Sequence, residues 1–128
     1  MGYTLQKTLR RPYAQALADV RAALAGQGFG ILTEIDLTST LKEKLDIDVA
    51  PETILGACRP DLAYQALQVE PSIAAVLPCN VVVRSIDSET TVVEAFDPST
   101  MARLVDAPGV GKVAAEANDR LTAAFTTL

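Results

Sequence analysis

Apolar positions along this chain recur with two different periods, and the switches between them mark out the elements. Tyr3, Leu5 and Leu9 fall on alternate positions, with Lys7 sharing their face, so 3–9 is expected to form a first strand. Pro12 then suits the first turn of a helix, where its missing N–H is not needed. Tyr13, Leu17, Val20 and Leu24 follow at spacings of four, three and four, one apolar stripe on a helix that Gly26 and Gly28 can end.

Beyond that turn, Phe29, Ile31, Ile35 and Leu37 are expected on one strand face with Thr33 between them, and Glu34 and Asp36 on the other, as in a sheet covered on one side only. Thr40-Leu41-Lys42-Glu43 has the form of a capping box, opening a short helix before a loop over 46–51. Residues 53–58 read as a third strand, and Pro60 opens a helix carrying Leu62, Ala66 and Leu67 that Pro71 stops. The runs 80–86 and 90–96, separated by Asp87-Ser88-Glu89, predict a hairpin, and Asp97-Pro98 starts another helical turn. Val110, Val113, Ala114, Ala117, Leu121, Ala124, Phe125 and Leu128 share one face of a final helix that closes the core from one side.

Five strands, with helices between and after them and an antiparallel hairpin near the end, describe an α+β sandwich of one sheet and one helical layer. At 128 residues the chain is expected to be a single domain, 1–128, with no internal repeat or linker.

Composition narrows the function classes. Eleven basic and sixteen acidic residues leave a net charge of -5, which argues against nucleic acid as a partner, and Lys7, Arg10 and Arg11 read as solvated surface. The longest stretch without a charge, 71–83, is thirteen residues long and contains two prolines, whereas a spanning helix needs about 20 apolar residues, so no membrane segment is expected. The opening MGYTLQ has neither a signal pattern nor a myristoylation motif, so the expected location is cytoplasmic and the thiols are expected to be free.

The absence of histidine removes the commonest general base and the familiar zinc shells, and neither a cofactor nor a metal is expected. Gly26-Gln27-Gly28-Phe29-Gly30 runs from a helix into a strand, the reverse of a dinucleotide fingerprint, and reads as a turn. Gly109-Val110-Gly111-Lys112 fails as a phosphate loop, because Asp106 stands where the first glycine belongs and Val113 where a hydroxyl would hold magnesium. Asp46-Ile47-Asp48 offers two carboxylates, too few for a hard cation.

The remaining chemistry lies in "ILGACRP" at 54–60 and "VLPCNVVV" at 76–83, which hold the only two cysteines. Cys58 is expected at a strand end just before a helix N-terminus, where free amides and the helix dipole favour a thiolate. Cys79 is expected at the start of a strand that could pair beside it. The alternative is that both are small core residues, since cysteine is among the most buried residue types.

The segments "ILGACRPDLAYQAL" and "EPSIAAVLPCNVVV", following "GFGILTEIDL" and ending in "FDPSTM", resemble the domain of unknown function 302 family. The resemblance implies a TATA-binding-protein-like fold of order β-α-β-β-α-β-β-α, in which a curved antiparallel sheet of about five strands carries helices on one face. It also implies a homodimer, and no catalytic residue. Family segments often place Asn between the first Cys and the Pro, where this chain has Arg59. Arg59 is a poor N-cap, and as a cation beside Cys58 it would suit an anionic ligand.

Three functions follow as expectations. The first is a small-ligand-binding or accessory homodimer holding an anionic or apolar ligand near Cys58, Arg59, Glu70, Cys79 and Asn80. The second is a thiol-dependent redox or thiolate-ligand protein, with Cys58 activated and Cys79 as its partner. The third gives both thiols a purely structural role.

Overall fold

The computed structural model describes residues 2–128. Its strands are β1 (Thr4–Leu9), β2 (Gly30–Asp36), β3 (Glu52–Cys58), β4 (Cys79–Asp87) and β5 (Thr90–Phe96). Its α-helices are α1 (Tyr13–Gly26), α2 (Leu37–Leu45), α3 (Pro60–Val69), α4 (Ser99–Leu104) and α5 (Pro108–Thr126), with a 3-10 helix at Pro71–Val76. The strands form one antiparallel sheet in the order β1-β5-β4-β3-β2, with helices packed on one side, so the α+β sandwich expected from the periodicity is the fold observed.

Two clusters make up the core. The first joins α1 (Ala16, Val20, Leu24) and the C-terminal half of α5 (Leu121, Ala124, Phe125) to Leu55, Val81, Val83 and Val93 of the central strands. The second lies between α3, the 3-10 helix, α4 and the first half of α5, through Leu62, Ile73, Met101 and Val110, and Cys79 belongs to it. On α5 the seven buried residues are those of the apolar stripe read from the sequence, with Leu128 partly buried beyond them. Lys7 does share the core face of β1, and its ammonium donates to the carbonyl of Phe125 at 2.9 Å, so its stem is buried while its charge meets a helix end.

Four expectations are corrected: the faces of β2, the start of α2, and the placing of Leu67 and of Tyr3. The register of β2 against β3 shifts between Ile31 and Thr33, leaving Leu32 as a bulge. Ile31 therefore pairs with buried Ala57 on the helical side, whereas Ile35 pairs with Ile54 on the opposite face and is 45% exposed. The same shift turns Glu34 to the helical side, where it meets Arg21 of α1.

Helix α2 begins at Leu37, not at Thr40, because Asp36 accepts hydrogen bonds from the Ser39 amide at 3.1 Å and its hydroxyl at 2.8 Å. Thr40 lies in the first turn and donates to the Asp36 carbonyl. On α3, Leu62 and Ala66 are buried but Leu67 is exposed, and Tyr3 lies outside β1 and is exposed.

Candidate functional site

Strand β3 ends at Cys58, Arg59 is the N-cap of α3, and Pro60 occupies its first turn. Strand β4 begins at Cys79, which lies directly opposite Ala57, so the sheet register brings Cys58 and Cys79 to adjacent strand ends. Cys58, Arg59 and Cys79 are among the residues lining a crevice of about 40 Å³ where the two core clusters meet. Phe29, Leu62, Ile73 and Met101 supply much of its otherwise apolar wall. Neither Phe29 nor Met101 was a sequence candidate, because each reaches the crevice only through tertiary packing.

The electrostatics run opposite to the sequence expectation. Burial raises the Cys58 thiol, and the negative charge of Asp61 adds to the rise, so the helix start does not make it a thiolate. Cys79, almost fully buried, is pushed up to about 11 by burial, with Cys58 adding to the shift. Since a thiolate is the nucleophile in thiol exchange, two thiols held in the protonated form give no support to a redox or nucleophilic role.

Arg59 does not counter this rise, because of the direction it takes. Its guanidinium packs over Gly28, whose φ of +83° places it in the left-handed region expected of this glycine turn. Its Nη2 lies 3.4 Å from the Asp61 carboxylate, while its Nε is buried and has no hydrogen-bond partner. Asp61 therefore offsets the cation near Cys58, and the Nε packed on Gly28 is left without an acceptor.

The other two candidates lie elsewhere. Glu70 caps the 3-10 helix, its carboxylate accepting from the Ser72 amide at 3.2 Å. Asn80 follows Cys79 on β4 and so points to the helix-free face, opposite Gly56, where it lines a shallow depression of about 270 Å³ with Thr4, Val82 and Glu94. On that face Glu94 accepts from the Thr4 hydroxyl at 2.6 Å and from Arg84 at 2.7 Å, and these contacts hold its carboxyl below the usual range. The structure thus brings Cys58, Arg59 and Cys79 together and separates Glu70 and Asn80 from them.

The set-aside motifs have structural explanations. Gly109 lets the start of α5 approach α3, since a Cβ there would stand 2.6 Å from Val69 Cγ2. Asp46 and Asp48 both pair with Lys42, at 2.9 and 3.3 Å. No group of three or more Cys, Asp or Glu side chains is placed to hold a metal among the described residues, and no helix described is long and apolar enough to cross a membrane.

A family model, domain of unknown function DUF302, matches residues 5–128. The crystal structure of an uncharacterized conserved DUF302 protein from Bacillus stearothermophilus is similar over nearly the whole fold. It is 25% identical, with a TM-score of 0.87 over 97% of this chain and 96% of that one. Curated proteins give no match.

Proposed function

We propose, for a chain that belongs to the DUF302 family and so inherits no established activity, a small-ligand-binding or accessory module that works as a cytoplasmic homodimer. The observation that carries this reading is the crevice itself, a small and otherwise apolar cavity whose wall includes the charged residue Arg59. At about 40 Å³ the crevice takes a ligand of only a few atoms, far below the roughly 300 to 1,000 Å³ of sites for larger organic molecules.

Two free, protonated cysteines suit a reducing compartment, which supports the cytoplasmic part of the proposal. The helix-free face of the sheet, with Ile35, Ile54 and Val82 among polar residues, is the surface a second copy would cover.

Native mass spectra of gently purified protein test the ligand. The wild type is expected to retain a small added mass that Arg59→Ala loses. Identical spectra from the two proteins would remove the crevice as the site.

A further inference from the structure

The residues around the crevice grade from half-buried to buried. Arg59, Ala63 and Leu77 are half-buried and form its rim, whereas Leu62, Ile73 and Val110 are buried and form its floor. Apart from Arg59 and the two cysteines, every lining residue has an apolar side chain. We infer, on the reading of the crevice as the ligand site, that its occupant is an uncharged apolar molecule smaller than benzene.

The one charged residue of the wall has its charge engaged elsewhere. The Arg59 guanidinium packs over Gly28, its Nη2 faces the Asp61 carboxylate at 3.4 Å, and neither Gly28 nor Asp61 lines the crevice. Arg59 thus gives the wall its methylene stem. Burial keeps both thiols protonated at neutral pH, and a neutral cysteine behaves as a small hydrophobe. An anion entering the crevice would lose its hydration and meet no free cation in exchange. Water fits no better, since it needs about two to four polar partners and the side chains of the wall offer only two weakly bonding thiols.

Small side chains leave the space open. Ala63 and Ala66 of α3, and Ala114 and Ala117 of α5, are pairs at i and i+3 that share a helix face, and all four line the crevice. Larger residues at these positions would fill it. The volume of about 40 Å³ is well below the roughly 150 Å³ of an apolar cavity that takes benzene, which limits the occupant to a few heavy atoms. Such an occupant supplies the dispersion contacts that an unfilled lining lacks, and it needs no hydrogen bond from the wall.

Methyl NMR spectra of the full chain, recorded under xenon and separately with acetate, test the ligand class. Xenon, a single apolar atom, is expected to shift the Leu62, Ile73 and Val110 methyls saturably while those of Val20 in the other core cluster stay in place. Acetate is expected to shift none of them. Ala66→Val, which fills part of the space, should weaken the xenon response by about 10-fold or more. The wild-type titrations keep the inference testable even if that variant fails to fold. Arg59→Met keeps a stem without the charge, so it should hold the added mass in native spectra that Arg59→Ala loses. A xenon response that does not saturate or is undiminished in folded Ala66→Val, loss of the mass in Arg59→Met, or a saturable acetate response overturns the apolar assignment. An Arg59-dependent mass without any xenon response also overturns it and leaves the crevice as the site. If neither probe responds and no mass is retained, both readings fail.

Discussion

The guanidinium of Arg59 lies across the backbone of Gly28, so that a Cβ at position 28 would stand 3.2 Å from Nε and 3.3 Å from Cζ. Gly28 also has a φ of +83°, which an L side chain adopts only with strain. Gly28→Ala is therefore expected to lower stability by about 1 to 2 kcal/mol, measured by urea denaturation. It should also move Arg59 off the turn, and an unchanged chemical shift for the Arg59 Nε–H in the variant would contradict the packing described.

A second close approach occurs in the sheet. A Cβ at Gly56 would overlap Thr33 Oγ1 and lie 2.8 Å from Pro78 Cγ, both on the helix-free side. Gly56→Ala should cost about 1 to 3 kcal/mol through overpacking. Adding Thr33→Ala removes one of the two obstacles, so the double variant should recover part of the loss. Simple additivity in the double-mutant cycle would show that the two positions do not touch.

These contacts mark the limit of what the sequence could reveal. The seven buried residues of α5 are legible because a 3.6-residue period survives whatever the helix packs against. The hairpin of β4 and β5 is legible because its turn is local. Ile35 was misplaced because the bulge at Leu32 reverses side-chain parity, and a bulge belongs to the pairing of two strands. The start of α2 was misplaced because two capping signals overlap there, and Asp36 with Ser39 prevails over Thr40 with Glu43. At the crevice, the nearness of Cys58 to Cys79 follows from a β3–β4 register that spans twenty residues of intervening chain. That Arg59 would turn toward Gly28 and Asp61 has no local signal at all.

The two thiols should differ in reactivity and in their effect on stability at high pH. At neutral pH iodoacetamide should modify half-buried Cys58 slowly and Cys79 more slowly still, because each is held as a thiol. For Cys79 the unfolded chain ionises near the ordinary value of 9.0 and the folded chain at about 11. The folded state keeps the proton across this window while the unfolded state releases it. The stabilisation is thus fully present below about pH 9 and is lost as pH rises toward 11, by roughly 2 to 3 kcal/mol at most. Cys79→Ala should be less stable at pH 7 but should show a shallower decline between pH 9 and 11. Parallel declines in the two proteins would refute the buried, protonated thiol.

Asp97 ties the chain after β5 to both C-terminal helices. Its Oδ1 accepts from the Ser99 amide at 2.9 Å, the Ser99 hydroxyl at 2.7 Å and the Asn118 side-chain amide of α5 at 2.7 Å. Burial alone would raise its pKa, but these hydrogen bonds and the nearby charge of Arg103 outweigh it and leave the carboxyl below its ordinary value. Its contribution is therefore present above the unfolded value of 3.8 and lost as pH falls through the lower folded value. Asp97→Ala is expected to cost about 1 to 2 kcal/mol near pH 7. The difference from wild type should shrink in acid, and a gap that persists at pH 2 would assign the loss to packing.

The helix-free face supplies the test of assembly. Val82 sits half-buried between Ile54 and Glu94 in the sheet register, and Glu94 already accepts from Thr4 and Arg84. A lysine at position 82 would extend from this face beside a carboxylate, so the isolated subunit should tolerate it. In a two-fold interface over this face, the same substitution would bring two ammonium groups together in a desolvated contact, which costs several kcal/mol. Light scattering behind size exclusion should therefore give a dimer mass for wild type and a monomer mass for Val82→Lys, with unchanged far-ultraviolet circular dichroism. A variant that stays dimeric would move the interface to another surface. A monomeric wild type at micromolar concentration would remove the homodimer and leave the sheet face as solvated surface.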